Sequence, residues 1–105
     1  SPEVIRKKIN ASYCMEGKPE NGIMAFLKYV IMIIKEDTQE KFVVKRPAQF
    51  GGEVSYANYL TIEKDFVAKR LHPMDLKQAF AEEIITLLSN LDQKKLQKLE
   101  VKAYP

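Results

Sequence analysis

The longest apolar run in this chain of 105 residues spans residues 23–34, and Lys28 is the one charged residue within it. Its twelve residues are too few to cross a bilayer, which takes about 20, so the run belongs in the interior of a folded domain. Because it is apolar on nearly all sides, it favours a buried central helix, although its β-branched end, residues 30–34, also fits a strand. A chain of this length has room for one modest core, and this run predicts where the centre of that core lies.

The composition excludes a disordered chain and several kinds of site. The hydrophobic fraction is 46% and the charged fraction 30%, as in ordinary globular proteins. Lys and Arg total 17 against 14 Asp and Glu, and the resulting net charge of +3 permits an RNA or phosphate partner without requiring one. Cys14 is the only cysteine and His72 the only histidine, so no internal disulfide, cysteine-cluster zinc site or two-histidine metal site is predicted within one chain.

No segment has the features of a targeting signal. The apolar run lies away from the N-terminus and lacks a small-residue cleavage site, so we expect no signal peptide and a reducing, cytosolic setting. The chain begins with Ser1 and not with Met, which indicates a processed product or an excised segment.

Helix signals stand at the start of the chain and in its second half. Residues 1–3 supply a hydroxyl cap, a proline and an acid, which is typical of a helix start. Asn58 and Pro73 each predict the start of a further helix, and glycine and proline between residues 14 and 22 predict a loop. The apolar stripes expected on these helices are Ile5, Ile9 and Tyr13; Tyr59, Ile62 and Phe66; and Leu76, Phe80, Ile84, Leu87, Leu88 and Leu91.

The middle of the chain predicts a small β-hairpin. Residues 42–44 are apolar and β-prone and are followed by Pro47, the paired glycines at 51–52 mark a sharp turn, and residues 54–56 could return as the second strand. The predicted fold is therefore mostly α, a compact helical bundle with a short β-hairpin inserted in the middle. We expect a single domain over residues 1–105, with a compact core in residues 1–91 and a basic C-terminal helix or tail in residues 92–105.

The sequence contains no recognisable combination of catalytic residues. His72 and Cys14 are far apart, and an inert, half-buried thiol is the simpler interpretation of Cys14. Glu82 and Glu83 are adjacent on a predicted helix and do not face one another. The paired glycines at 51–52 lack the lysine and hydroxyl of a phosphate-binding loop. We therefore predict no catalytic residues and no metal site in this chain.

Recognition of a nucleic-acid base is better supported. Phe50 precedes the paired glycines, and His72 stands at a predicted helix start with Asp75 close behind it. Aromatic rings stack on exposed RNA bases, and a carboxylate can accept from the two neighbouring donors on the Watson–Crick edge of guanine. The same residues also fit a plain structural interpretation, with Phe50 in the core and Asp75 as a first-turn charge that complements the helix dipole.

Seven short blocks follow one another through the chain. They are Ile5-Arg6-Lys7-Lys8-Ile9-Asn10, Tyr13-Cys14, Glu20-Asn21-Gly22, Phe42-Val43-Val44, Arg46-Pro47, Phe50-Gly51-Gly52 and Leu71-His72-Pro73-Met74-Asp75-Leu76-Lys77. Their order and approximate spacing resemble those of the archaeal and eukaryotic tyrosyl-tRNA synthetases, and the resemblance extends from residue 1 to about residue 88.

The resemblance implies the C-terminal anticodon-binding region of a class I synthetase. The tRNA(Tyr) anticodon loop would be its partner, as would an upstream catalytic domain that binds ATP and Mg²⁺ and forms the homodimer; the segment itself would need no cofactor and could be a monomer. By the same resemblance, Phe50 stacks on the guanine at the first anticodon position and Asp75 contacts that base. The residues that would form the surrounding wall are His72, Pro73 and Met74, with Lys77 towards the RNA backbone.

A different class of function also fits the sequence. The apolar helices could dock a protein partner, with the basic residues incidental. The chain would then be a non-catalytic helical protein-interaction module.

Overall fold

The computed structural model describes the backbone of residues 1–103 and the side chains of residues 1–90. Helix α1 (Pro2–Asn10) is followed by a central helix built of α2 (Gly22–Phe26), a π-helical turn (Leu27–Ile31) and α3 (Met32–Asp37). Strands β1 (Phe42–Val44) and β2 (Val54–Tyr56) flank a short 3₁₀ turn (Ala48–Phe50), and α4 (Tyr59–Val67) and α5 (Pro73–Ala103) complete the chain. The predicted fold class, a mostly helical domain with one inserted hairpin, is confirmed.

Helix α1 packs along α5 and begins where its cap predicts. The Ser1 hydroxyl accepts from the backbone N–H of Val4 at 3.5 Å, and Ile9 is half-buried against the core. The predicted stripe is wrong at Tyr13, whose side chain is 64% exposed. Because α1 ends at Asn10, Tyr13 lies beyond the helix and no longer shares its apolar face.

The central segment is helical, so the alternative of a strand is wrong. The side chain of Asn21 accepts from the backbone N–H of Met24 at 2.8 Å and starts the helix. The expectation of a buried central helix holds for one face only, since Tyr29 is 65% and Ile33 55% exposed. The residues of this helix that the core buries are Ile23, Met24, Leu27, Ile31 and Met32.

The hairpin follows the central helix in the chain and precedes α4. Its strands are antiparallel, with Phe42 opposite Tyr56 and Val44 opposite Val54. Phe42 and Val44 are fully buried, whereas Val43 between them points outward and is 39% exposed. The alternation of the strand therefore places two large side chains in the core and leaves the connection, residues 45–53, at the surface.

Helices α4 and α5 close the other side of the core. The side chain of Asn58 caps α4 by accepting from the backbone N–H of Thr61 at 3.0 Å, and Ile62 and Phe66 are fully buried. In α5, Leu76 and Phe80 are buried as predicted, whereas Leu88 is 41% exposed. A helix of 31 residues is about 46 Å long and extends past the core that its first turns cover.

The prediction for residues 92–105 concerns side chains outside the described residues. The backbone of α5 is helical as far as Ala103. None of the helices described over residues 1–103 has the combination of length and apolar character that a membrane span requires.

Tyr56 connects the hairpin to α4 by a hydrogen bond from inside the core. Its hydroxyl donates to Oδ2 of Asp65 at 2.9 Å, and the residue is only 3% exposed. Burial, reinforced by the hydrogen bond and negative charge of that carboxylate, raises the pKa of Tyr56 well above its usual value of 10.

We expect Tyr56→Phe to lower the free energy of unfolding by about 1–3 kcal/mol at neutral pH, because Asp65 loses a half-buried donor. A raised folded-state pKa means that this contribution is complete below the unfolded-state pKa of 10 and declines as the pH rises beyond it. Urea unfolding at pH about 7 and about 11 should thus show a smaller difference between wild type and variant at the higher pH. Tyr29→Phe, at an exposed tyrosine, is the control; a Tyr56→Phe deficit of equal size at both pH values would contradict the assignment.

Candidate nucleic-acid interface

The aromatic side chain at residue 50 lies at the surface. Phe50 ends the 3₁₀ turn that follows β1, and its side chain is 62% exposed. The structural interpretation that placed Phe50 in the core is therefore wrong. A large apolar ring that faces solvent on a connecting turn is available to stack on a ligand.

The turn that carries Phe50 is held together by its own backbone. The carbonyl of Pro47 accepts from the N–H groups of Phe50 at 2.9 Å and Gly52 at 3.1 Å. Gly51 has φ +102° and Gly52 φ +71°, a region of backbone conformation that glycine adopts without strain. A side chain at Gly51 would be strained by this φ, and its Cβ atom would lie 2.8 Å from Nη2 of Arg46, so the guanidinium would have to shift to make room for it.

The second group of predicted residues surrounds the start of α5. Nδ1 of His72 accepts from the backbone N–H of Met74 at 3.0 Å, which caps the helix and assigns the ring proton to Nε2 when the imidazole is neutral. His72 is exposed and Met74 is 47% exposed, whereas Pro73 is buried as the first residue of the helix. The imidazole and the thioether therefore face outward, and the proline lies beneath them.

Asp75 stands in the first turn of α5 and is half-buried. None of the described residues donates a hydrogen bond to its carboxylate or forms an ion pair with it. Negative charge is favourable at this end of a helix, so the carboxylate is compatible with the fold while its acceptor oxygens stay available to a ligand. The structural interpretation of Asp75 as a first-turn charge is thus compatible with the prediction that it contacts a ligand.

Lys77 lies against α1 rather than free in solvent. Its ammonium donates to the backbone carbonyl of Asn10 at 2.9 Å, where the C-terminal end of α1 attracts positive charge. Beside it, a groove of about 780 Å³ runs between α1, β1 and α5, with Lys45, Met74 and Lys77 among its lining residues. The ammonium retains two further N–H donors, and the contact of Lys77 with an RNA backbone stays a prediction.

Arg46 joins the two turns, which sequence reasoning did not foresee. Its Nε donates to the carbonyl of Gly52 at 2.8 Å, and its Nη1 donates to the carbonyl of Arg70 at 2.9 Å. One guanidinium therefore holds two carbonyl oxygens within about 8 Å of each other. Gly52 lies two residues after Phe50, and Arg70 lies two residues before His72. The only sequence signal for this role was the block Arg46-Pro47, since backbone carbonyls leave no mark on a sequence.

The remaining chemistry of the chain is limited. Cys14 is half-buried, and burial raises the pKa of its thiol above the usual value, so the reactive thiolate is disfavoured. Among the described residues, no group of three or more His, Cys, Asp or Glu side chains could hold a metal ion. The predicted site residues thus include an exposed ring at Phe50, an exposed imidazole at His72 and, at Asp75, a carboxylate to which none of the described residues donates a hydrogen bond.

Known proteins give a consistent comparison. No protein-family model matches the chain. The tyrosine–tRNA ligase of Haloarcula marismortui is 35% identical over all of this chain, which covers 31% of that protein. The cytoplasmic tyrosine–tRNA ligase of Xenopus tropicalis is 34% identical, also over all of this chain, which covers 20% of that protein. The chain thus spans a third or less of the length of these curated relatives.

Solved structures agree with the sequence relatives. The tyrosyl-tRNA synthetase of Archaeoglobus fulgidus, crystallised with L-tyrosine, superposes with a TM-score of 0.81 at 38% identity, over 89% of this chain and 28% of that one. The corresponding complex from Pyrococcus horikoshii gives a TM-score of 0.79 at 36% identity, over 95% of this chain and 26% of that one.

Proposed function

Because the chain belongs to the tyrosyl-tRNA synthetase family, as a segment that matches part of its relatives, we propose that it is the C-terminal anticodon-binding region of a tyrosine–tRNA ligase. Its ligand is the anticodon loop of tRNA(Tyr), and it reads the guanine at the first anticodon position. One observation carries the proposal: Arg46 ties the turn that exposes Phe50 to the segment that leads into the helix of Asp75.

Stacking supplies affinity in this mechanism. Phe50 offers a flat, exposed face, and a base stacked on an aromatic ring contributes about 1–3 kcal/mol whatever its identity. His72 and Met74 line the neighbouring turn, where the exposed imidazole and thioether can border the extruded base. Pro73, buried below them, sets the direction in which the turn leaves α4 and enters α5.

Hydrogen bonding supplies selectivity. Guanine presents N1–H and N2–H side by side on its Watson–Crick edge, and the unpaired carboxylate of Asp75 can accept from both. Adenine and cytosine each place an acceptor on this edge next to a single donor group, and uracil has one donor between two acceptors. A carboxylate therefore favours guanine, and a bidentate contact of this kind discriminates by about 1–3 kcal/mol.

Lysine charge supplies a background of affinity that depends on salt. Lys45 immediately precedes Arg46, and both Lys45 and Lys77 line the groove beside Met74. Phosphates of a bound loop would release counterions when they approach these ammonium groups. The charge of Lys77, placed at the end of α1, would then act at a fixed position rather than on a freely moving side chain.

Ligation itself belongs to the rest of the enzyme. ATP and Mg²⁺ stay predicted for a catalytic domain outside this segment, and the described residues offer no metal-ligating cluster for them. An apolar depression of about 500 Å³ on this domain is lined by residues that include Ile9, Tyr13, Phe26 and Phe80.

The test is a titration of the chain with four anticodon stem-loops of tRNA(Tyr) that differ only in the first anticodon base. We expect the guanine stem-loop to bind about 5- to 150-fold more tightly than the other three. Equal affinity for all four would contradict base reading by this segment. Absence of binding to any of them would favour the second candidate, a helical protein-interaction module that uses the apolar depression.

A further inference from the structure

The Phe50 turn has few contacts with the rest of the molecule. All of residues 47–51 are exposed, and the backbone hydrogen bonds of the turn run to Pro47 and Ala48 within it. Among the described residues, the side-chain hydrogen bonds that reach this connection are those of Arg46. The turn keeps its shape by itself, and beyond the two paired strands that it joins, Arg46 is the described residue whose side chain links it by hydrogen bonds to the α4–α5 connection.

The Arg70 carbonyl, which accepts from Arg46, is held in place by Asp65. Asp65 in α4 accepts from the backbone N–H of Arg70 at 2.9 Å through its carbonyl, and from Nε of Arg70 at 3.2 Å through its carboxylate. The same carboxylate accepts from the buried hydroxyl of Tyr56 in β2. The carbonyl of Arg70, to which Arg46 donates, is therefore fixed to the strand and helix that form the core.

The contact requires the shape of a guanidinium and not only its charge. A guanidinium carries five N–H donors in one rigid plane, so Nε and Nη1 can serve two carbonyls that lie apart. A lysine ammonium is a single nitrogen on a flexible stem and cannot reproduce this geometry. Among the described residues, no carboxylate forms a salt bridge with Arg46, so its polar contacts here are with backbone oxygens.

We propose that Arg46 is a positioning residue for base selectivity: it fixes the stacking surface of Phe50 relative to the carboxylate of Asp75. The inference rests on the proposed function, because it explains how two residues separated by 25 positions act on one base. Without the guanidinium, Phe50 still stacks, but the stacked base is no longer held where its edge meets Asp75. Loss of the guanidinium should therefore reduce the preference for guanine more than it reduces the affinity for stem-loops in general.

The experiment compares wild type, Arg46→Lys and Arg6→Lys with the four anticodon stem-loops. Arg46→Lys keeps the charge, so the dependence of binding on salt should be unchanged. Binding of the guanine stem-loop should weaken about tenfold, with changes of about twofold or less for the other three. Arg6→Lys makes the same replacement at an exposed arginine of α1 that is paired with Glu82. Arg6 also lines the groove beside Lys77, so the affinity of this variant serves as a control for charge in that groove, and because the replacement keeps the charge, the ratios among the four stem-loops should stay at their wild-type values.

The outcomes separate this inference from the proposed function. Loss of the guanine preference in Arg46→Lys, with wild-type circular dichroism, supports the positioning role. Retention of the full preference in a folded Arg46→Lys variant overturns that role and leaves the reading of guanine intact. Equal binding of the four stem-loops by wild type overturns the proposed function and the positioning role with it.

A second measurement applies if Arg46→Lys does not fold. In the wild-type chain, nuclear magnetic resonance should show a protected Nε–H for Arg46. The amides of Gly51 and Gly52 should have order parameters near those of a rigid backbone, about 0.85. A rapidly exchanging Nε–H together with a mobile glycine pair would overturn the positioning role.

Discussion

Asp75→Arg is expected to abolish the preference for guanine at the first anticodon base and to shift it towards cytosine. The carboxylate accepts hydrogen bonds, whereas a guanidinium only donates them. A guanidinium at this position would place its N–H groups against the N1–H and N2–H donors of guanine, which is unfavourable. The edge of cytosine instead offers N3 and O2 as acceptors for those N–H groups. The variant should lose about 1–3 kcal/mol of discrimination for guanine, which corresponds to about 5- to 150-fold in the ratio of dissociation constants.

The same stem-loop titration checks this result, with Asp37→Arg as the matched control. Asp37 is an exposed acid at the end of α3, so its replacement changes the net charge by the same amount. At low salt the added positive charge should favour binding by a similar amount in both variants, but only Asp75→Arg should also weaken the guanine stem-loop relative to the others and change the order of the bases. A first-turn arginine opposes the helix dipole by about 0.3–1 kcal/mol, so the fold should persist. A variant that still selects guanine would show that Asp75 does not read the base.

Phe50→Ala is expected to weaken binding of all four stem-loops by about 1–3 kcal/mol, because the stacking surface is lost for every base. The logarithm of the affinity should keep the same slope against the logarithm of the salt concentration, since stacking releases no counterions. Because the side chain is 62% exposed, the free energy of unfolding should change by no more than about 0.5 kcal/mol.

Two companion variants make the Phe50 result specific. Phe50→Trp retains a flat aromatic face and should restore most of the affinity. Leu60→Ala removes another exposed apolar side chain, 72% exposed in α4, and should leave binding unchanged. Undiminished affinity in Phe50→Ala, or a salt slope altered by it, would mean that the ring does not stack on the bound base.

Local chemistry was enough to predict most of the fold. Ser1, Asn58 and Pro73 mark helix starts through caps and a fixed φ, and each lies where the sequence predicts it. The hairpin strands were equally clear from their β-prone residues and the glycine turn. What failed was the prediction of burial: Tyr13 and Ile33 are apolar and exposed, because the extent of a neighbouring surface is a property of the assembled domain.

The residues of the candidate site come from the resemblance and stay predictions, whereas the contacts that hold the site together could not be predicted from the sequence. The resemblance supplied Phe50 and Asp75, while the sequence could not say whether the ring was in the core or at the surface. Lys77 contacts a carbonyl 67 positions away and Arg46 one 24 positions away. Neither contact has a local signature, since each depends on how α1, the hairpin and the α4–α5 connection come together in space.

The bond between Arg46 and the α4–α5 connection has a consequence for how such a domain tolerates divergence. The acceptor that position 70 provides is a main-chain oxygen, which every amino acid carries. Replacement of the side chain there removes its bond to Asp65 but keeps both the acceptor and the backbone N–H of position 70 that donates to the carbonyl of Asp65, so the identity of residue 70 is not tied to that of residue 46. A search for correlated substitutions would therefore not detect this hydrogen bond. Selection to keep the bond would act on the identity of residue 46 alone.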